Sequence, residues 1–158
     1  MSDDRVHNLL ELELERADDE FPERHRFSGE SLTESVRAVA TGMGVYELPP
    51  GIACWPYHFE MGEEEWLIVI AGEVVLRTPS GEQRLRAGDT ACFAAGAAGA
   101  HAVRNDGAET ARFLMPSTNA RYGGATVYPD SGKVNVYGPG YRHRGWLGDA
   151  VPYWEGEP

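Results

Sequence analysis

Residues 55–72 read WPYHFEMGEEEWLIVIAG, two strand-like segments joined by a short acidic loop. Successive side chains of a strand point to opposite faces, so His58 and Glu60 project from the same face of the first segment. Gly62 breaks that segment, and Glu65 begins the next one beside it. One imidazole and two carboxylates can therefore converge on a single point, and each is a good ligand for a divalent metal ion.

Glu65 differs from Glu63 and Glu64, which are typical of a solvated charge run. The apolar residues 66–71 follow Glu65 immediately. A carboxylate at the mouth of an apolar strand is costly to bury unless it is paired or bound to a metal ion. Glu65 is therefore the strongest ligand candidate among the three consecutive glutamates.

Residues 88–105 supply a second imidazole and read GDTACFAAGAAGAHAVRN. Small, flexible residues occupy positions 94–100 and lead to His101 at the start of another strand-like stretch. A histidine alone in such a place is more often an ordinary strand or loop residue than a ligand. Because the preceding run of small residues delivers one imidazole to the start of a strand, we treat His101 as a further candidate ligand.

Strand-like segments recur at short intervals from residue 44 onward. They are separated by Gly, Pro and Asn turns and cover about 45–48, 55–60, 66–71, 74–78, 83–86, 90–93, 101–104 and 111–117. Short strands at a spacing of about 8–12 residues indicate an all-β sandwich or barrel. No long amphipathic helix is visible, which argues against an α/β fold.

The segments on either side of this series have a different character. Residues 10–15 read LELELE, an alternation that fits a strand with its three leucines on one face, although Leu and Glu also favour helix. Residues 118–158 hold too many aromatic side chains for a free linker, so we expect them to pack on the barrel or on a partner subunit. We divide the single domain into an N-terminal extension (1–44), a β-barrel core (45–117) and a C-terminal tail (118–158).

The composition restricts the partners and the compartment. The 158-residue chain carries 25 acidic and 14 basic residues, a net charge of -11 at pH 7. Such a surface repels phosphate backbones and anionic lipids, so we expect no nucleic-acid partner and no membrane partner. No apolar run is long enough to cross a bilayer, and the N-terminus lacks the features of a signal peptide. We therefore expect a cytoplasmic protein, in which Cys54 and Cys92 act as two unconnected small hydrophobes.

Both metal-ligand segments resemble the motifs of the cupin family. The first motif, G-x5-H-x-H-x3,4-E-x6-G, is matched by Gly51, His58, Glu65 and Gly72, with one extra residue after Gly51 and with Glu60 in place of the second His. The second motif, G-x5-P-x-G-x2-H-x3-N, is matched by Gly88, Gly96, His101 and Asn105, with Ala94 in place of the Pro and two extra residues before the His.

The resemblance extends to a subgroup of small bacterial and archaeal cupins, some of them provisionally described as sugar-phosphate isomerases. The shared stretches are LPPG (48–51), WPYH (55–58), EEW (64–66), YPDSGK (128–133) and YWEGE (153–157). The resemblance covers about residues 45–157. It implies a double-stranded β-helix barrel, a homodimer, and a metal ion held inside the barrel by three His and one Glu.

Glu60 stands where that family has a histidine, and three outcomes are open. Glu60 binds, giving the set His58, Glu60, Glu65 and His101, which neutralises one divalent ion and favours Mn or Fe over Ni or Zn. Alternatively, Glu60 turns away and leaves two His and one carboxylate with open positions, as in non-haem Fe(II) oxygenases. In the third outcome the site binds no metal.

The leading functional hypothesis is a metal-dependent enzyme, an isomerase or a dioxygenase, acting on a small sugar-like or carbonyl/carboxylate molecule in the barrel. The barrel itself does not choose the reaction. A non-catalytic binding or sensing protein is the rival hypothesis, because no second general base stands out in the sequence. A structural partner protein is the third. An N-terminal strand and an aromatic tail favour burial against a second copy, so we expect a homodimer.

Overall fold

The computed structural model describes residues 5–118 and 123–157. In these residues the regular elements are antiparallel strands and two short 3-10 turns, Glu23–His25 and Ala97–Gly99. The strands are β1 (Glu15–Arg16), β2 (Ser28–Ser31), β3 (Thr41–Leu48), β4 (Phe59–Glu60), β5 (Glu65–Ala71), β6 (Glu73–Thr78), β7 (Gly81–Arg86), β8 (Thr90–Phe93), β9 (Ala102–Arg104), β10 (Ala111–Thr118), β11 (Gly124–Tyr128), β12 (Lys133–Gly138) and β13 (Tyr141–Trp146). The predicted all-β class is confirmed.

Three antiparallel sheets enclose the core. The largest has the order β1-β2-β3-β10-β5-β8, the second β13-β12-β11-β4 and the third β7-β6-β9. The main apolar cluster draws side chains from strands of the first and third sheets, including the fully buried Leu67 and Phe113. Gly72 makes the tight turn between β5 and β6 with a φ of 67°, a conformation that glycine adopts without steric cost.

The N-terminal segment explains why β5 is apolar on both of its faces. Leu67 and Val69 point into the main core, whereas Ile68 and Ile70 pack in a second apolar cluster. That cluster includes leucines of the N-terminal segment, which cover the outer face of the largest sheet. A strand that is covered on both faces is continuously apolar rather than alternating.

Arg112 fastens this N-terminal segment to the sheet. Its Nε donates to Glu47 Oε1 at 2.9 Å, and its two terminal nitrogens donate to the carbonyl oxygens of Leu9 and Leu12, each at 2.7 Å. Arg112 lies in β10 and is 8% exposed. The charge is therefore buried only because all of these donors are used.

Two predicted strands differ from the structure. The strand expected over residues 55–60 shrinks to Phe59–Glu60, preceded by isolated bridges of Ala53 with Arg104 and of His58 with His101. Pro56 interrupts that segment and has no N–H to donate to a ladder. Residues 10–15 form a strand only at Glu15, and Leu10 is 65% exposed. The alternation does not extend the strand over these residues: Leu12 and Leu14 pack in the second apolar cluster without forming a strand, whereas Leu10 stays exposed.

Part of the C-terminal tail continues the β structure. Strands β11, β12 and β13 pair in register with one another, and β11 also pairs with β4. Trp146, Tyr153 and Trp154 remain largely exposed. Their burial against a second copy of the chain stays a prediction. Across the described ranges, no helix is long and apolar enough to cross a membrane.

Candidate metal centre

Three of the four predicted ligands lie together inside the barrel. His58 and His101 face each other across an isolated antiparallel bridge, in which the two backbone N–H groups donate reciprocally at 3.1 and 2.8 Å. Glu65 is the first residue of β5, next to Phe93 of β8. The potential ligand atoms of His58, Glu65 and His101 all lie within 4.8 Å of one another. The tertiary structure thus joins the two sequence segments at one point.

Backbone carbonyl groups orient both imidazole rings. The Nδ1 atom of His58 lies 2.8 Å from the Pro56 oxygen, and that of His101 lies 3.0 Å from the Gly99 oxygen. A carbonyl oxygen only accepts, so each Nδ1 carries the proton and each Nε2 presents its lone pair. Metal-binding histidines in proteins are held in the same way.

Gly99 shows why small residues precede His101. A Cβ atom at Gly99 would lie 1.9 Å from the Ala94 oxygen, so the loop closes only around glycine. The ring of Phe93 then stacks on His101, with centroids 3.8 Å apart and planes 9° apart. This stacking fixes the plane of the imidazole.

Two polar atoms of the cluster have no hydrogen-bond partner among the described residues. Glu65 Oε2 and His101 Nε2 are both buried and unsatisfied. Glu65 Oε2 lies 3.6 Å from His101 Nε2 and 3.9 Å from His58 Nε2. These distances are too long for hydrogen bonds and short enough for one cation to contact all three atoms. Unpaired buried acceptors that point at one another fit a metal ion.

The electrostatic environment keeps the imidazoles neutral and disfavours the bare carboxylate. Burial, followed by the neighbouring His58, lowers the pKa of His101 to about 4. Burial also lowers the pKa of His58. Burial, together with Glu60 and Glu63, raises the pKa of Glu65 to about 7. A divalent cation would supply the missing positive charge and stabilise the ionised Glu65.

Glu60 is not part of this three-residue group. Its carboxylate accepts from Thr126 Oγ1 at 2.9 and 3.1 Å and from the Tyr137 hydroxyl at 3.3 Å. The same hydroxyl donates to Glu63 Oε1 at 2.8 Å. The geometry therefore favours the alternative in which Glu60 turns away from a set of two His and one carboxylate.

Four residues around the centre were missed by the sequence analysis as site residues: Phe93, Thr126, Tyr128 and Tyr137. The Tyr128 ring lies 6.0 Å from that of His58, centroid to centroid. The aromatic content of the tail was the available signal. It predicted packing but not contact with the metal ligands.

The placement of Glu60 gives a direct prediction. Glu60→Gln keeps the bound metal ion with little loss of affinity, because the amide can still be held by Thr126 and Tyr137 outside the ligand group. Elemental analysis and a metal-competition titration measure this, with Glu65→Gln as the matched variant that loses the ion. Loss of the metal from Glu60→Gln would instead show that Glu60 is a ligand.

Comparisons with known proteins agree on the fold. Residues 44–116 match the cupin domain family, Cupin_2, and a comparison with curated proteins gives no match. A structure from Acidithiobacillus ferrooxidans, provisionally named a sugar phosphate isomerase, shares 22% identity over 89% of this chain and 91% of its own, with a TM-score of 0.78.

Two further solved structures share the same fold. The sugar phosphate isomerase of the cupin superfamily from Silicibacter pomeroyi is 23% identical over 89% of this chain and 93% of its own, with a TM-score of 0.75. A predicted oxalate decarboxylase from Thermotoga maritima is 22% identical over 72% and 97%, with a TM-score of 0.57. The double-stranded β-helix expected from the sequence is thereby confirmed. The family match and the shared fold identify residues 44–116 as a cupin domain.

Proposed function

We propose that this cupin binds one divalent metal ion through His58, Glu65 and His101 and is a metal-dependent enzyme acting on a small organic molecule in the barrel. The observation that carries the proposal is the pair of buried, unpartnered acceptors, Glu65 Oε2 and His101 Nε2. Leaving such atoms without a partner costs free energy, and one cation would satisfy both. Two imidazoles and a carboxylate suit Mn or Fe, with Ni or Zn as alternatives.

When bound, a divalent ion supplies Lewis-acid chemistry that polarises a carbonyl or phosphoryl oxygen. The chain itself adds a proton-holding group next to the ligands. Tyr137 donates to Glu63 and lies within 3.3 Å of Glu60, whose pKa is raised by burial. A carboxylate with a raised pKa is a better proton acceptor than an ordinary carboxylate, so Glu60 is suited to take up a proton from a bound molecule. The contact of Tyr137 with Glu60 and Glu63, which the sequence alone did not reveal, favours an enzyme over a plain binding protein.

The reaction class that this arrangement supports best is an isomerisation, in which a proton is moved between positions of a small carbonyl compound. The isomerase name carried by two proteins of the same fold is consistent with that choice. An Fe(II) dioxygenase is the second candidate, since two His and one carboxylate with open positions are the ligand pattern of that class.

The test begins with elemental analysis of protein purified without added metal, followed by assays of chelator-treated and reloaded protein. Conversion of small hydroxy-aldehydes and hydroxy-ketones that returns with Mn or Fe would support the isomerase. Dioxygen uptake by the Fe(II)-loaded protein would support the second candidate. A protein that binds metal and a small molecule without converting it would be a sensor, and a protein with no affinity for metal would contradict the proposal.

A further inference from the structure

We propose that a groove beside the metal centre binds the anionic group, a phosphate or a carboxylate, of a small organic molecule. The groove has a volume of about 610 Å³. Its lining includes the cations Arg24, Lys133 and Arg144 and the aromatic side chains Trp55, Tyr57 and Tyr128. The inference deepens the proposed function by naming the substrate class, and its link to the metal ion rests on that function.

The groove is positive in a chain that is strongly negative overall. The net charge of the protein is -11, yet the groove is lined by three cations and by a single carboxylate, Asp130. That carboxylate is already bound on both oxygens by Arg77, at 2.6 and 2.9 Å. Across residues 5–118 and 123–157, none of the three groove cations has a carboxylate within 4.0 Å. Their charge is therefore available to a ligand.

Local contacts hold two of the cations at the groove. Arg24 lies on the turn Glu23–His25, and its Nε donates to His25 Nε2 at 3.1 Å. The Nδ1 atom of His25 in turn contacts the carbonyl oxygen of Cys54. Lys133 Nζ lies over the ring of Tyr128, 5.4 Å from its centroid. The two cations thus reach one groove from different parts of the fold, Arg24 from the N-terminal segment and Lys133 from β12.

The register of the sheet β4-β11-β12-β13 connects the groove to the metal centre. Glu60 pairs with Thr126, Thr126 with Asn135, and Asn135 with Arg144. Directly paired residues project from the same face of a sheet, and adjacent strands are about 4.8 Å apart. Glu60, near the metal ligands, and Arg144, in the groove, therefore project from the same face of this sheet. Their strands, β4 and β13, are roughly 14 Å apart.

The residues between Glu60 and Arg144 on this face, Thr126 and Asn135, are polar. Asn135 Oδ1 is buried without a hydrogen-bond partner in the described part of the chain. Tyr128 pairs with Lys133 in the neighbouring row, on the same face, and its ring lies 6.0 Å from that of His58. A molecule anchored in the groove could thus extend along this face to the metal centre.

The charges of the groove and of the metal centre determine the orientation of such a molecule. Glu60, Glu63 and Glu65 offset the charge of a divalent ion bound at the metal centre, so an anionic group is bound more favourably among the groove cations than there. Arg and Lys bind phosphate and carboxylate oxygens through charge-assisted hydrogen bonds. The substrate class is therefore a small organic acid or phosphate ester whose reacting end is uncharged.

Calorimetric titration of the full-length protein with inorganic phosphate and with malonate tests the groove. Arg144→Gln and Lys133→Gln should each weaken binding of the preferred anion about tenfold. Arg142→Gln is the matched control, because Arg142 is an exposed cation of the same strand, β13, and does not line the groove. Preference for phosphate would indicate a phosphate ester, and preference for malonate an organic acid. Unchanged binding by both groove variants would overturn the proposal.

A second arm separates this inference from the proposed function. The same titrations are made on His101→Ala, which lacks a metal ligand but keeps the groove cations. Phosphate or malonate binding that persists in this variant and still depends on Arg144 supports the groove even if the metal-dependent enzyme is wrong. Anion binding that disappears with the metal ion shows instead that the anion was a ligand of the metal, and the groove proposal fails.

Discussion

His101→Ala yields protein without the bound divalent ion, with metal affinity lower by about 100-fold or more. The reason is geometric: Glu65 Oε2 lies 3.6 Å from His101 Nε2, and removing the imidazole leaves one histidine and one carboxylate for the ion. Elemental analysis of the purified variant and a competition titration against a metal-binding dye measure the loss.

Two further variants make that result interpretable. His143→Ala removes an exposed histidine of β13 and should retain the wild-type metal content. His101→Gln preserves more of the side-chain volume stacked on Phe93, so it separates loss of the ligand from loss of packing. Wild-type metal content in both His101 variants would show that the ion is bound elsewhere.

Glu65→Gln should make the metal-free protein more stable at pH 8, by about 2–3 kcal/mol, while abolishing metal binding. Burial, then Glu60 and Glu63, raise the pKa of Glu65 from 4.5 to about 7 in the folded chain. The ionised carboxylate is therefore costly in the folded state when no cation is present. The amide has nearly the same shape and carries no charge, so it avoids that cost.

The pH dependence of this difference has a definite sign. Below pH 4.5 the Glu65 carboxyl is protonated in both the folded and the unfolded chain, and the two proteins should be equally stable. Between pH 4.5 and 7 the unfolded chain ionises first, so the wild type loses stability relative to the variant. Above pH 7 the difference reaches its full value.

Urea unfolding of chelator-treated proteins at several pH values measures this effect. Glu64→Gln is the control, because Glu64 is exposed and adjacent in sequence, and it should show no comparable change. Adding the metal ion should stabilise the wild type by mass action and leave Glu65→Gln unaffected. A Glu65→Gln protein that is no more stable than the wild type at pH 8 would contradict the electrostatic description of the site.

The strands of the core and three of the predicted ligands could be found from the sequence because both depend on short-range spacing. Glu65 follows His58 after one short loop, and Gly99 precedes His101 at a position where only glycine fits. Turn residues and alternation specify the local backbone. The bridge between His58 and His101 then follows from folding those strands into one barrel.

Glu60 shows where this local reasoning stops. Alternation predicts that Glu60 projects beside His58 toward the metal ion, but Thr126 and Tyr137 bind its carboxylate from β11 and β12, far along the chain. The alternation of residues along one strand cannot predict these contacts with Thr126 and Tyr137. The strand predicted over residues 10–15 fails for a similar reason, since Leu12 and Leu14 pack on a sheet surface formed by distant strands and Leu10 stays exposed.

The sequence by itself therefore determined the β class, the approximate positions of the core strands along the chain and three residues that converge at one point, His58, Glu65 and His101. The tertiary structure decided which carboxylate faces the imidazoles and which cations share a groove. Arg24, Lys133 and Arg144 come from segments that are far apart in the sequence and share a groove only because the N-terminal turn and the β12–β13 hairpin both line it. Periodicity describes neighbours along the chain, whereas contacts between distant segments are selected by packing of the whole barrel.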